Sequence, residues 1–395
     1  MTTTRLTFAR RTAPFTESVI REMSRVAARE GAVNLAQGFP DFAAPAAMKE
    51  AAKRAIDADV NQYAVTWGAP DLRDAVARRT TAYNRMPTDA DAHVTVCCGA
   101  TEAMVSAMLA TIDPGDEVVV FEPFYENYGP DCTLAGATPR FVRLSGPDWT
   151  FDEAELAAAF GPRTKAIIVN TPHNPTGKVF VREELEAIAR LCREHDVLAI
   201  TDEIYEYILY DGAEHVSIGS LEGMAERTIT ISGLSKTWSA TGWRIGWCIA
   251  PEHLTGAIRK VHDFLTVGAP APLQAAAAEA LDFGPEYFDQ LRVDYAARRD
   301  AMLAALEPTG FRVVAPRGAY YVMAGIEDLA RPDEDDTAFA LRLAKDGGVA
   351  TVPGSSFFAE PDEGLGDGHR IVRFCFAKKV ETLEAAARVL RERLG

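Results

Sequence analysis

Between residues 93 and 250 the sequence alternates between short apolar runs and amphipathic stretches, and this alternation restricts the fold more than any other feature. The apolar runs are rich in Val and Ile, as buried strands are. The stretch 182–195 instead carries apolar residues at helical spacing. We therefore predict strands at 93–98, 117–121, 140–144, 165–170, 197–201 and 228–231. Strands that alternate with helices indicate an α/β domain with a mainly parallel sheet.

Polar residues and tight turns follow several of these predicted strands. Asp202 comes directly after strand 197–201, and Gly99 leads from strand 93–98 into a predicted helix. Open α/β sheets bind ligands at the carboxyl ends of their strands, and free amides at a helix start suit a phosphate. The turn at 171–177 contains two prolines and a glycine, so we expect it to hold Asn174 rigidly. An alternative role for Asp202 is that of a helix cap.

The run 232–246 follows the last of these strands and contains Lys236 among small residues, so that bulky groups can approach its amine. An amine that is partly withdrawn from water and near an arginine loses its proton more readily. Such an amine can form an imine with a carbonyl compound. Arg244 lies eight residues further on, after Gly242, where its planar fork could hold a phosphate.

The whole run resembles the pyridoxal-phosphate lysine signature of class I and II aminotransferases. It has Gly-Leu-Ser before Lys236, Ser-Ala shortly after it, and Gly-Trp-Arg-Ile-Gly ending at Gly246. The resemblance covers nearly the whole chain and is closest to the kynurenine aminotransferase, glutamine transaminase K and bacterial methionine-aromatic aminotransferase group. It implies the α/β architecture of a fold type I transferase, with a large mainly parallel-sheet domain and a small α+β domain formed by both chain ends. We place the arm and part of the small domain at 1–45, the large domain at 46–285 and the rest of the small domain at 286–395.

The same resemblance implies which residues bind pyridoxal 5'-phosphate. Lys236 would hold the cofactor as a Schiff base and move a proton, while Asp202 would pair with the pyridine nitrogen. Tyr205 and Asn174 would contact the phenolic oxygen. The remaining cofactor-binding candidates are Gly99, Ala100, Thr101, Tyr125, Ser235, Arg244 and, from the other subunit of a homodimer, Tyr63.

Some of these assignments have alternatives. Tyr125, which the resemblance stacks on the pyridine ring, and Tyr63 could both be core aromatic residues. Many relatives have a phosphate-contacting serine three places before the lysine, where this chain has Gly233. Ser232 or Ser235 could replace that contact, and the sequence leaves open which of them does.

Substrate-binding candidates follow from the resemblance as well. The Gly38 amide and Arg373 would bind the α-carboxylate with Asn174, and Trp67 would lie near the substrate side chain. Arg373 falls among hydrophobic residues in a predicted strand, where an unpaired charge is costly. Arg370 is expected to be solvated, and Gly38 could be a plain turn glycine. The aromatic and aliphatic residues assigned to the pocket are Phe15, Ile20, Trp67 and Tyr125.

We therefore expect an enzyme that transfers an amino group between an aromatic, methionine-like or glutamine-like L-α-amino acid and a 2-oxo acid. The same motifs are compatible with two other reactions. These are β-elimination from cysteine conjugates and transamination of a specialised, for example succinylated, amino acid. A regulator that uses this fold to sense a ligand would normally carry a basic DNA-binding extension, and the sequence has no basic segment of that kind.

Composition excludes several other classes. The chain of 395 residues has 57 acidic and 41 basic residues, a net charge of −16, which argues against nucleic acid or an anionic membrane as a partner. Its six cysteines form no CxxC pair, so we expect neither a metal site nor a disulfide framework. The start of the chain lacks an apolar signal region, and we expect a cytoplasmic protein.

Overall fold

The computed structural model describes residues 9–13, 15, 17–359 and 367–394. Its helices are α1 (Val19–Glu30), α2 (Ala46–Asp57), α3 (Pro70–Arg79), α4 (Ala90–His93), α5 (Ala100–Thr111), α6 (Tyr128–Ala135), α7 (Glu153–Ala158), α8 (Arg182–His195), α9 (Glu252–Thr266), α10 (Ala271–Leu281), α11 (Pro285–Leu306), α12 (Asp336–Lys345) and α13 (Val380–Leu394). Its strands are β1 (Val33–Asn34), β2 (Val94–Cys97), β3 (Glu117–Glu122), β4 (Thr138–Arg143), β5 (Thr164–Asn170), β6 (Leu198–Asp202), β7 (Thr228–Gly233), β8 (Gly246–Ile249), β9 (Arg312–Val313), β10 (Tyr321–Gly325), β11 (Val349–Ala350), β12 (Val352–Pro353) and β13 (Ile371–Cys375).

A seven-stranded sheet forms the centre of the larger part, in the order β2-β8-β7-β6-β5-β3-β4. Strand β8 runs antiparallel to both of its neighbours, and the other strands are parallel to one another. The register pairs Asn170 with Asp202 and Asp202 with Ile231. The carboxyl ends of β5, β6 and β7 therefore lie together at one edge of the sheet. The predicted mainly parallel α/β sheet is confirmed.

The apolar strand residues account for this arrangement. Every residue of β2, β7 and β8 is buried, as expected when helices cover both faces of a sheet. Helix α8 begins and ends where its apolar spacing predicted, and it buries Leu185, Ile188 and Cys192 against the sheet. The strand predictions agree with the observed strands to within two residues at each end.

Both ends of the chain contribute to a second, smaller part. Strand β1 pairs in parallel with β11, which joins Val33 to Val349. A four-stranded antiparallel sheet has the order β12-β13-β10-β9, and α11 packs on α13 beside it. The small α+β part from both chain ends is thus present, while the exact limits at residues 45 and 285 stay a prediction.

Helix α6 was not expected from the sequence, and its position matters for the site. It contains Gly129 and Pro130, residues that usually indicate a loop. Pro130 lies in the first turn, where a backbone N–H has no helical partner to lose, so the helix tolerates it. Through α6 the chain brings Tyr128 and Asp131 to the edge of the sheet near Asp202.

Among the helices of the described ranges, none has the length and apolar character required to cross a membrane.

Candidate active site

Lys236 lies three residues beyond the end of β7, in the turn that leads to β8. Its Nζ atom donates a hydrogen bond to the carbonyl oxygen of Gly38 at 3.2 Å and lies 5.6 Å from the ring centres of Tyr205 and Tyr320. Burial lowers the pKa of the Lys236 amine to about 8, because the low-dielectric surroundings disfavour the charged form. An amine with this pKa is partly unprotonated near neutral pH, as a nucleophile or a proton acceptor must be.

A cavity of ≈ 460 Å³ opens beside this amine. It collects most of the residues that the sequence assigned to cofactor and substrate, although they come from distant parts of the chain. Those that line it are Gly38, Ala100, Thr101, Tyr125, Asn174, Asp202, Tyr205, Ser235, Lys236 and Arg244.

Asp202 ends β6 at one side of this cavity. Its Oδ2 atom accepts a hydrogen bond from the Tyr128 hydroxyl at 2.8 Å, and Oδ1 accepts one from the Ile204 amide at 3.3 Å. Burial raises the pKa of the Asp202 carboxyl, while the bond from Tyr128 acts in the opposite direction. A cation beside this carboxyl would favour its ionised form, and a protonated pyridine nitrogen is such a cation.

Arg373 lies one layer behind the cavity wall and is fully buried. Its guanidinium donates to Asn174 Oδ1 at 2.7 Å and to the Ala36 carbonyl at 3.2 Å, and it stacks 4.2 Å from the Tyr321 ring centre. Its Nε atom has no partner among the described residues. The buried charge is thus held by neutral acceptors and aromatic rings, which leaves it available to an incoming carboxylate.

The opposite end of the cavity has the donors that a phosphate requires. Gly99 precedes α5 with φ +85°, so the amides of Ala100 and Thr101 start the helix at the cavity wall. Arg244 is held over this turn by the carbonyls of Thr241 at 3.0 Å and Cys98 at 3.4 Å. A Cβ atom at Gly99 would lie 2.4 Å from Arg244 Nη2. The cavity therefore has a cation and helix amides at one end, which suit a phosphate, and a carboxyl at the other, which suits a pyridine nitrogen. These groups fit pyridoxal phosphate.

The two serines near Lys236 point in different directions. Ser235 lines the cavity, whereas the Ser232 hydroxyl donates to Glu206 Oε1 at 2.8 Å outside it. Gly233 lies between them at a close approach of two strands. A Cβ atom there would lie 2.8 Å from the Ile245 carbonyl oxygen and 2.9 Å from Gly246 Cα. This crowding gives a physical reason for glycine at position 233.

Besides Gly99 and Arg373, the assigned residues Tyr63 and Trp67 do not line this cavity. The Tyr63 side chain is 87% exposed, and the Trp67 ring stacks 5.1 Å from the Arg259 guanidinium. Phe15 lines a neighbouring groove, and Ile20 lines the cavity itself. A contribution of Tyr63 or Trp67 to a site of this kind therefore requires a second subunit.

Sequence reasoning missed several residues of the cavity wall, among them Tyr128, Asp131 and Tyr321. Tyr128 and Asp131 lie on α6, where glycine and proline obscured the helix. Tyr321 begins β10, and its hydroxyl lies 3.1 Å from that of Tyr205. The two consecutive tyrosines Tyr320 and Tyr321 were the sequence signal available for this residue.

Known proteins of similar sequence and structure are aminotransferases. The sequence model of the family "Aminotransferase class I and II" matches residues 30–390. Kynurenine–oxoglutarate transaminase 1 of Homo sapiens is 38% identical over 400 residues, which cover 94% of this chain and 94% of the relative. The structure of N-succinyldiaminopimelate aminotransferase from Mycobacterium tuberculosis superposes with a TM-score of 0.93 at 40% identity, over 97% of this chain and 99% of that one. That of a methionine aminotransferase from Escherichia coli gives a TM-score of 0.93 at 35% identity, over 98% and 100% of the two chains.

Proposed function

Because this chain belongs to the class I and II aminotransferases, we propose that Lys236, Asp202 and Tyr205 carry out its reaction in the cavity described above. The family uses pyridoxal 5'-phosphate, and the enzyme transfers an amino group between an L-α-amino acid and a 2-oxo acid. The observation that carries the assignment of residues is that the Lys236 amine and the Asp202 carboxyl line one cavity, with the Arg373 cation directly behind its wall.

The chain's own residues each supply one function. Bound pyridoxal phosphate supplies a carbonyl group and an electron-withdrawing ring. Asp202, oriented by Tyr128, holds a proton on the ring nitrogen. Lys236 would accept the proton from the substrate Cα and return it to C4′ of the cofactor, as its lowered pKa allows. Tyr205 and Asn174 orient the ring through its phenolic oxygen, and Tyr125 covers its face.

The phosphate is bound by Ser235, by the Gly99–Thr101 turn and by Arg244. Arg373 binds the substrate α-carboxylate as a two-bonded pair, with Asn174 and the Gly38 amide beside it. Support for this orientation comes from the buried, incompletely paired Arg373 guanidinium. A carboxylate that reaches it gains charge-assisted hydrogen bonds in a site without competing water.

The side chain of the substrate would point toward the start of α1. Ile20, Phe39 and Tyr125 provide apolar surface there, which favours an aromatic, methionine-like or glutamine-like amino acid. A second candidate is an N-succinylated amino acid, because Arg21 also lines this part of the cavity and has no ion-pair partner among the described residues. The names of the relatives above include enzymes for both kinds of substrate.

The active form is proposed to be a symmetric homodimer with shared sites, in which Tyr63 contacts the other subunit's cofactor phosphate and Trp67 that subunit's substrate. The exposure of Tyr63 supports this arrangement, and so do the apolar side chains of Phe264 and Leu265, which are 90% and 47% exposed. A cytoplasmic location stays a prediction.

A panel of amino donors with 2-oxoglutarate, followed by mass-spectrometric identification of products, tests the substrate. We expect the highest kcat/KM with kynurenine, phenylalanine, methionine or glutamine, and retention of that activity in Arg21→Gln. Arg25→Gln, one turn along α1 in an exposed ion pair with Glu17, is the matched control. A preference for N-succinyl-diaminopimelate that is lost in Arg21→Gln but kept in Arg25→Gln would instead support the N-succinylated substrate. Release of pyruvate and ammonia from cysteine conjugates without a stable aminated cofactor would indicate β-elimination instead.

A further inference from the structure

A buried histidine on α9, outside the cavity, joins two segments that matter to the reaction. The His262 side chain is fully buried. Its Nδ1 atom lies 3.0 Å from Glu102 Oε2, and its Nε2 atom lies 2.8 Å from the carbonyl oxygen of Thr66. Glu102 belongs to the first turn of α5, whose start forms the phosphate end of the cavity. Thr66 immediately precedes Trp67.

The partners of His262 favour its protonated form. A backbone carbonyl only accepts hydrogen bonds, so Nε2 must carry a hydrogen. The two oxygens of Glu102 accept from the Cys98 amide at 2.9 Å and from the Ser106 hydroxyl, so this group is an acceptor at both oxygens. An imidazolium, which donates from both ring nitrogens, satisfies the Thr66 carbonyl and Glu102 together, and the Thr266 hydroxyl lies 3.3 Å from Nδ1.

The electrostatics agree with this geometry. Burial alone would lower the pKa of His262, but the hydrogen bond and the charge of Glu102, together with the Thr66 carbonyl, raise it. Burial would likewise raise the pKa of Glu102, yet the bonds from His262 and Ser106 lower it. The two charges stabilise each other in a region with little water.

The other contacts that hold this segment lie at residues 67 and 68, where Arg73 Nε donates to the Gly68 carbonyl at 3.0 Å. Val96 donates its amide to the Trp67 carbonyl at 3.0 Å, and Arg259, one turn before His262, stacks on the Trp67 ring. Tyr63, in the same segment, extends into solvent. Helix α9 thus contacts residues 66 and 67 through His262 and Arg259. The exposed Tyr63 lies toward the other end of the segment.

We propose that Glu102 and His262 are a positioning pair that fixes the segment 61–68, so that Tyr63 and Trp67 complete the active site of the neighbouring subunit. This inference rests on the shared-site dimer proposed above. The pair would thus affect the active site of the neighbouring subunit, whereas α5, which carries Glu102, lines the active site of its own subunit. The pair touches no reacting atom, and it acts through the position of the segment.

The first test measures the segment itself by amide hydrogen exchange on the purified holoenzyme. In His262→Gln we expect peptides from residues 61–68 to exchange about tenfold faster, the factor that corresponds to about 1.4 kcal/mol. The matched control is His253→Gln, because His253 is an exposed histidine on the same helix, 3.8 Å from Glu226. Unchanged exchange in a folded His262→Gln protein would overturn the proposal.

The second test asks which subunit's site suffers. His262→Gln is mixed with the inactive Lys236→Ala under conditions of subunit exchange. A mixed dimer then has one site with an intact Lys236 and a segment supplied by the unaltered His262 chain. We expect activity to rise toward about a quarter of wild type, the value for random reassortment of a symmetric dimer. Glu102→Gln/His262→Gln, which leaves no buried charge unpaired, replaces the single variant if that variant does not fold.

A parallel mixture of Tyr63→Ala with Lys236→Ala separates the inference from the proposal on which it rests. Recovery with Tyr63→Ala but not with His262→Gln would show that the pair acts in its own subunit, and would overturn the inference alone. Failure of both mixtures, with exchange demonstrated by mass spectrometry of tagged subunits, would overturn the shared-site dimer and the inference together. Full activity of His262→Gln by itself would also contradict the positioning role.

Discussion

Replacement of Asp131 by asparagine should remove the loss of folding stability that the wild-type chain shows as the pH rises toward neutral. Asp131 lies on α6, one turn after Tyr128, and it is 5% exposed. Within the described residues its Oδ2 atom has no hydrogen-bond partner. Burial, with a further contribution from the charge of Asp202, raises the pKa of the Asp131 carboxyl from 3.8 to about 7. Asparagine has nearly the same shape and no charge, so the variant removes the titration of this carboxyl.

The sign and size of the effect follow from linkage between protonation and folding. The pKa of Asp131 is higher in the folded than in the unfolded chain, so the proton stabilises the folded state at low pH. That contribution is lost as the pH rises from about 4 to about 7. At about 1.4 kcal/mol per pH unit, the free energy of unfolding of wild type should fall relative to Asp131→Asn by about 2.5 kcal/mol between pH 5 and pH 8.

Denaturant unfolding of the cofactor-free protein at a series of pH values, at one protein concentration, measures this difference. The cofactor is removed because its ring brings a charge of its own. Only the pH dependence is diagnostic, since the buried amide of asparagine adds a cost that does not vary with pH. Asp57→Asn, at an exposed carboxyl at the end of α2, should give a curve parallel to wild type. A parallel curve for Asp131→Asn, to within about 0.5 kcal/mol, would refute the reasoning.

Two further predictions concern the cofactor site. Asp202→Asn removes the charge beside the ring nitrogen but keeps the shape, so single-turnover Cα deprotonation should slow roughly a hundredfold with little change in substrate affinity; an unchanged rate would leave Asp202 a structural cap. Gly99→Ala places a Cβ atom 2.4 Å from Arg244 Nη2 at a residue with φ +85°, so cofactor binding, followed by absorbance titration, should weaken at least tenfold. Gly256→Ala, where a Cβ atom would meet nothing within 4 Å, serves as its control, and equal affinity in the two variants would show that the turn adapts without cost.

Local sequence patterns were sufficient to predict those elements whose limits depend on residues close together in the chain. The apolar spacing of 182–195 predicted the limits of α8, and the apolar runs predicted the parallel strands, because burial of one face or of both faces sets those periods. The roles expected for Lys236, Asp202 and Asn174 came from the family resemblance, but their proximity has a similar local reason. Each lies in a short motif at the end of a strand, and the parallel sheet brings such ends together.

The rest depended on contacts between distant parts of the chain. Tyr128 reaches Asp202 across 74 residues of sequence, and Arg373 reaches Asn174 across 199. Nothing in the neighbourhood of either residue indicates which partner the fold will supply. The positions of the two serines also depended on the tertiary structure, in which Ser232 donates to Glu206 and Ser235 lines the cavity.

The sequence by itself determined the sheet, the main helices and the motifs of the site, because periodic burial and turn chemistry act over a few residues. Only the tertiary structure decided that Asp131 is a buried carboxyl whose Oδ2 atom has no partner among the described residues, and that Glu102 raises the pKa of His262. Both properties depend on how much water and which acceptors surround a side chain, and elements far apart in the sequence supply those surroundings.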